Sequence, residues 1–280
     1  KGAAGSLAVG TITVSNIPGI TVNASDVLLQ FNTTNDVAQA TVGTVSFDYS
    51  TPDRLRFFAI RVTGTVTLTA GSIAAEVSGT FGFEKVTLSP AAGATTGTSV
   101  ITVFVANGAT SLSVGSVSVS ATGINGAFIA DAAGVAGKLT VGSMALTGVS
   151  GVTLAVTETR LLINNTKQAR SGSAGGTEFN FSDPAQFDFI AVGGTLDLAL
   201  ATPAVPATLS GTFDFQKATV GGATQILVAV NNVRTTLAVG SGGSGIEAIF
   251  DNINGLLVVP GGGIAGSLSV GSVSLKLAGS

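Results

Sequence analysis

"SGTFGFEK" runs from Ser78 to Lys85, and "SGTFDFQK" runs from Ser210 to Lys217, 132 positions later. Successive side chains of a strand point to opposite faces. Phe81 and Phe83 therefore share one face, as do Phe213 and Phe215 in the second copy. A buried phenylalanine covers about 150–250 Å², so each pair is a large apolar anchor. These four residues are the candidate structural anchors of a repeat. Lys85 and Lys217 are expected to end their strands at water.

The octets belong to a longer repetition. "GSLAVGTIT" at Gly5 matches "GKLTVGSMA" at Gly137 and "GSLSVGSVS" at Gly266. "LLQFNTT" ending at Thr34 matches "RLLINNT" ending at Thr166. "ITVFVAN" at Ile101 matches "ILVAVNN" at Ile226, and "INGAFIADAAGVAG" at Ile124 matches "INGLLVVPGGGIAG" at Ile253. The order is kept throughout. The chain divides into residues 1–4 closing a preceding repeat, repeat one over 5–136, repeat two over 137–265, and the start of a third over 266–280.

Within each repeat the hydrophobic period is two. In "GTVTLTAG", Val66 and Leu68 alternate with Thr65, Thr67 and Thr69. That pattern builds strands with one apolar and one hydroxyl face. Gly115, Gly142 and Gly271 sit at the same place in their strands, where a glycine marks a bulge or a close backbone approach. "NIPG", "GVSG", "GING" and "NING" read as turns. The count is about ten strands per repeat. "GIEAIFDNI", Gly245–Ile253, carries helical spacing and reads as a helical insert. "SLSVGSVSV" at Ser111 echoes "KLTVGSMAL" at Lys138, 27 residues on, the length of one solenoid coil. The expected fold is all-β: an elongated tandem-repeat array, β-solenoid-like, with tandem antiparallel β-sandwich domains as the alternative.

Composition narrows the function classes. Of 280 residues, 45% are hydrophobic and 10% charged, against about 25% charged in average soluble chains. Such a surface is dressed with Ser, Thr, Asn and Gly, or buried against neighbouring copies. The net charge of −3 gives no phosphate-binding footprint, so no nucleic acid is expected. No apolar run reaches the ~20 residues of a membrane helix, so no transmembrane segment is expected.

With no His and no Cys, most nucleophile–base pairs and transition-metal sites lack their residues. Asp183, Asp188 and Asp197 are the nearest to a carboxylate cluster, and Asp48 and Asp53 are the closest in repeat one. They read as solvated surface, with weak Ca²⁺ binding a remote option. Gly261, Gly263 and Gly266 spell GxGxxG, but a strand pattern follows where a nucleotide site needs a helix. Arg54, Arg56 and Arg61 form the densest basic stretch, and parity sets Arg56 and Arg61 on opposite faces. Asn23, Asn32, Asn164 and Asn180 open N-x-[ST] sequons, which Asn-rich strand-end turns explain as well as glycosylation does. No catalytic residue, cofactor or metal is expected.

The alternating Ser/Val strands, the "NNT" and "SGTFDFQK" blocks and the lack of Cys resemble very large bacterial tandem-repeat secreted and surface proteins, the giant adhesin-like repeat proteins. The resemblance implies an extracellular or cell-surface, elongated, structural or adhesive protein, and carries over no functional residue. The expectation is a non-enzymatic rod or filament built by self-association of β repeats. The alternative is a stalk or ligand-binding segment of an adhesin.

Overall fold

A computed structural model describes residues 2–17, 20–51, 54–70, 73–87, 99–201, 206–220, 223–241, 244–259 and 265–277. Repeat one supplies β1 (Ala4–Ile17), β2 (Ile20–Asn32), β3 (Ala38–Val42), β4 (Val45–Tyr49), β5 (Phe57–Ala70), β6 (Ile73–Thr87), β7 (Ser99–Val114) and β8 (Val117–Asp131). Repeat two supplies β9 (Gly134–Thr147), β10 (Val152–Asn164), β11 (Arg170–Ala174), β12 (Thr177–Phe181), β13 (Phe189–Leu200), β14 (Ala207–Val220), β15 (Ala223–Ser241) and β16 (Ser244–Val259). A 3-10 turn spans Pro184–Gln186. The third copy of the opening motif is β17 (Ala265–Leu277).

Among the described residues each repeat is thus six long strands and one short hairpin, eight strands against the expected ten or so. The long strands form one antiparallel sheet of 13, in the order β1-β2-β5-β6-β7-β8-β9-β10-β13-β14-β15-β16-β17. Its order is chain order, and it is not closed into a barrel. The hairpins β3–β4 and β11–β12 stand outside it as separate two-stranded sheets. The all-β expectation holds. The helical insert does not: Gly245–Ile253 lies inside β16, paired with β15 and β17.

Bulges explain both differences. Asp26, Glu158, Asn107, Asn232 and Asn252 take φ of 50–54° inside strands, and Gly79 and Gly211 sit at φ 145° and 147°. Most of these are equivalent pairs between the repeats. An extra residue in the left-handed region bends a strand without ending it, so the strands run to 19 residues. Asn125 and Asn254, from "GING" and "NING", secure the bulges. Their Oδ1 atoms accept from the backbone N of Asn107 and Asn232, both at 2.9 Å. These two motifs are mid-strand clamps rather than turns. Ile246 and Phe250 face one side of β16 and Ile249 the other, and the bulge at Asn252 returns Ile253 to the first side. That mixture imitates helical spacing.

One string adopts two structures. "SLSVGSVS" occurs at 111–118 and at 267–274. At 111–118 it is a hairpin, with Gly115 at φ 61° in the two-residue turn between β7 and β8 and Ser113 Oγ donating to Ser118 Oγ at 3.0 Å. At 267–274 it is continuous strand. Gly115 is therefore not equivalent to Gly271, and the 27-residue echo from Ser111 joins a hairpin to a strand. Gly271 marks a close approach: a Cβ there would lie 2.9 Å from Asn252 Cβ.

Backbone proximity groups the chain into two compact units that differ from the sequence repeats. The first is Lys1–Thr110, Gly123–Leu139 and Ile163–Asp188. It contains both hairpins and most of the buried aromatics. Tyr49 and Phe57 are 1% exposed; Tyr49 stacks on Phe47 at 5.0 Å and meets Phe57 at 5.8 Å. Phe181, the counterpart of Tyr49, packs on Phe179 at 5.7 Å. The Phe104 ring lies between Gly82 and Gly175, where an added Cβ would come within 1.9 and 2.4 Å of it. The second unit is Ser111–Thr122, Thr140–Leu162 and Phe189–Ser280, with Val233 and Ile249 buried at 5% exposure.

Candidate functional site

The register sorts the side chains into two faces, as the alternation predicts. In the first unit one row reads Leu7, Leu29, Ile60, Phe83 across β1, β2, β5 and β6. Phe31 and Phe58 lie beside it, and Val62 pairs with Phe81. In the second unit a row reads Val192, Phe215, Val228, Leu257 across β13 to β16. A neighbouring row reads Gly194, Phe213, Val230, Gly255, Leu268. The opposite face is polar. Thr63 faces Thr80 with hydroxyls 2.9 Å apart, and Thr195 faces Thr212 at 3.2 Å. Asp197, Ser210 and Arg234 form a further polar row.

In each unit the apolar face is open. Phe81, Phe83 and Phe215 remain 37%, 36% and 47% exposed, and on β17 Leu268 and Leu275 reach 56% and 73%. Phe81 and Phe83 lie on one face of β6, and Phe213 and Phe215 on one face of β14. Phe83 meets Phe58 edge-on at 6.4 Å. The strands also run past the lysines, β6 to Thr87 and β14 to Val220. In repeat two Val156, Thr159, Val192, Gly194, Phe213 and Phe215 line a depression of about 300 Å³. Its floor opens because Gly194 stands where repeat one has Val62. Thr159 Oγ1, at this depression, is buried without a hydrogen-bond partner.

The second feature is a polar latch that ties each hairpin to the sheet. Asn32 is fully buried. Its Nδ2 donates to Asp36 O at 3.1 Å and Arg54 O at 3.0 Å. Its Oδ1 accepts from Thr34 N at 3.0 Å and Thr34 Oγ1 at 2.7 Å. Asn164, also fully buried, repeats the design: Nδ2 donates to Gln168 O at 3.0 Å, and Oδ1 accepts from Thr166 N at 3.1 Å and Thr166 Oγ1 at 2.7 Å. The Asn-x-Thr strings at these positions are thus hydrogen-bonding motifs whose amide nitrogens are already engaged. Asn23 and Asn180 are exposed.

Tyr49 completes the first latch, donating from its hydroxyl to Gly5 O at 2.8 Å. Burial raises its pKa above 10.0, against the opposing pull of the Phe31 backbone and the Arg54 charge. A raised folded-state pKa contributes stability that is complete below the unfolded value and is lost as pH rises through the folded one. Tyr49 is the chain's single tyrosine. Its ultraviolet titration is expected to show a midpoint above 10.0, with stability to urea falling over the same range. Tyr49→Phe is expected to cost about 1 kcal/mol at neutral pH and to remove that alkaline loss. A midpoint at the ordinary value would show the hydroxyl to be solvated.

The carboxylates do not converge. Asp183 Oδ1 accepts from Ala185 N at 2.9 Å and caps the 3-10 turn. Asp188 sits at φ 59°, Asp197 lies in the polar row, and Asp48 Oδ1 accepts from Ser50 N; Asp53 lies outside the described residues. Among the described residues no group of three or more potential ligands could hold a metal. Of the GxGxxG string, Gly261 and Gly263 fall outside the described residues and Gly266 is in β17. Arg54 pairs with Glu84 at 3.5 Å and lies 4.2 Å over the Phe57 ring. Arg56 precedes β5, at φ 51°, so strand parity does not apply to it. Arg61 is on the polar face opposite Gly82. No described helix is long and apolar enough to cross a membrane. Set beside known protein families, curated proteins and solved structures, the chain matches none.

Proposed function

We propose that this chain is a structural protein, a sheet-forming repeat that builds extracellular rods or filaments by burying its apolar face against further copies. The carrying observation is the open apolar face of each unit, where Phe81 and Phe83 in the first and Phe215 in the second are 36–47% exposed. Contiguous apolar patches beyond a few hundred Å² mark interaction surfaces. Two copies of the second unit's face packed at the usual ~10 Å sheet spacing would cover its apolar rows, and a side chain of one copy would fill the depression beside Gly194 in the other. The reading assigns no catalysis and no cofactor, and its partner is a second copy.

The recurrence of β1 as β9 and β17 favours a second reading: a stalk or ligand-binding segment of a surface adhesin, in which the copies are tandem repeats of one chain. Cryo-electron microscopy of the concentrated, purified chain tests the first. Long unbranched filaments are the expected result. Dispersed monomers at all concentrations overturn it.

A further inference from the structure

One residue opens the depression in repeat two. Gly194 stands where repeat one has Val62, so a valine side chain is missing from the apolar face. The walls are built of Val156, Val192, Phe213 and Phe215, and all of these residues belong to the second unit. An occupant has to be apolar.

The row through Gly194 supplies a matching knob. It reads Gly194, Phe213, Val230, Gly255, Leu268 across β13 to β17, with Val230 in the middle. Gly194 lies two strands to one side of Val230 and Leu268 two strands to the other, each about 10 Å away at strand spacing. Leu268 leans over Gly255, into the space a Cβ there would occupy, and stands as a ridge. The adjoining row reverses the order: Val192, Phe215, Val228, Leu257, Gly266 puts the large residue on β13 and the glycine on β17. Half a turn about an axis along β15 exchanges the two ends of each row. Each end glycine then faces a branched side chain of the other copy, Leu268 over Gly194 and Val192 over Gly266.

The face has the charge and the area for such a contact. The register sets Asp197, Asp214, Arg234, Glu247, Asp251 and Lys276 on the opposite face. Lys217 stands at the margin, in the row of Ile190 and Ile226. Interface cores are depleted of charge in the same way. Five strands at ~4.8 Å spacing and the 12 residues of β13 at ~3.3 Å rise span roughly 950 Å². A stable interface takes about 800 Å² from each partner. We infer that two copies pair face to face through the second unit, about a two-fold axis along β15 at Val230, with Leu268 of each seated in the Gly194 depression of the other. A two-fold contact uses one patch on both copies, so the patch has to complement itself, and these rows do. This inference rests on the self-association proposed above and gives it a symmetry and a register.

The chain has no cysteine, so a single introduced thiol reports its distance from its own copy. Val230 lies on the axis, and its two copies face each other across the ~10 Å between packed sheets. The two copies of Val192 are four strands apart, about 19 Å sideways. Full-length chains bearing Val230→Cys or Val192→Cys are treated with a short bismaleimide. Circular dichroism confirms that each variant folds, and sedimentation velocity records its association. The expected result is association, with covalent dimer several-fold more abundant for Val230→Cys than for Val192→Cys. Gly194→Val, which restores the residue of repeat one, is expected to weaken association roughly 10-fold, and adding Leu268→Ala is expected to recover part of that loss. Association with equal cross-linking at the two positions, or with no recovery on trimming Leu268, overturns the two-fold register and leaves self-association standing. Monomers throughout overturn both.

Discussion

Asn32→Asp lowers stability by roughly 3–5 kcal/mol at neutral pH, read as the shift of a urea unfolding transition. The reason lies in the direction of four hydrogen bonds. The amide accepts two through Oδ1, from Thr34 N and Thr34 Oγ1, and donates two through Nδ2, to Asp36 O and Arg54 O. A carboxylate keeps the accepting half. It turns the donating half into two contacts between acceptors inside a site with no exposure. An orphaned buried acceptor costs about 1–3 kcal/mol, and an uncompensated buried charge costs more. Burial raises the introduced carboxyl's pKa, so the deficit shrinks as pH falls through it and the carboxyl regains a donor. Asn164→Asp is expected to do the same to the second latch. A change under about 1 kcal/mol for either would mean that water reaches the site.

Val192→Lys combined with Phe215→Lys is expected to weaken assembly by roughly 1,000-fold while leaving the monomer folded. Val192 and Phe215 are cross-strand partners on the apolar face, 42% and 47% exposed. Burying a large apolar side chain contributes about 1.5–3 kcal/mol, and each 1.4 kcal/mol is tenfold in affinity. Two lost burials, with two ammonium groups facing an apolar partner, give that scale. Within the monomer both positions already touch water, so unfolding moves little. Sedimentation equilibrium against the parent chain supplies the first number and urea denaturation the second. Assembly unchanged by the double substitution would show that copies do not meet through this face.

The two-faced strand was legible in residues such as Phe81 and Phe83, because alternation is a local property that the register preserved. The correspondence between β1, β9 and β17 was legible as well, since it is carried by repeated strings. What escaped was everything that depends on a neighbouring strand. Asn125 and Asn254 look like turn residues, yet they hold bulges across the sheet. "SLSVGSVS" is hairpin or strand according to its pairing partner, and nothing inside the eight residues distinguishes the two. The latches were visible only as sequons, because the carbonyl oxygens that occupy Asn32, those of Asp36 and Arg54, come from 4 and 22 residues away.

The coincidence of sheet order with chain order bears on how such a protein is made. Every long strand can pair with the one synthesised just before it, and none must wait for a distant partner. All-β chains usually fold slowly because remote segments have to find each other. Among the described strands the search is short at each step, with a hairpin intervening before β5 and β13. A chain leaving a ribosome or passing through a narrow exit one end first could set down its sheet strand by strand. The growing margin would at all times expose an edge ready for the next addition.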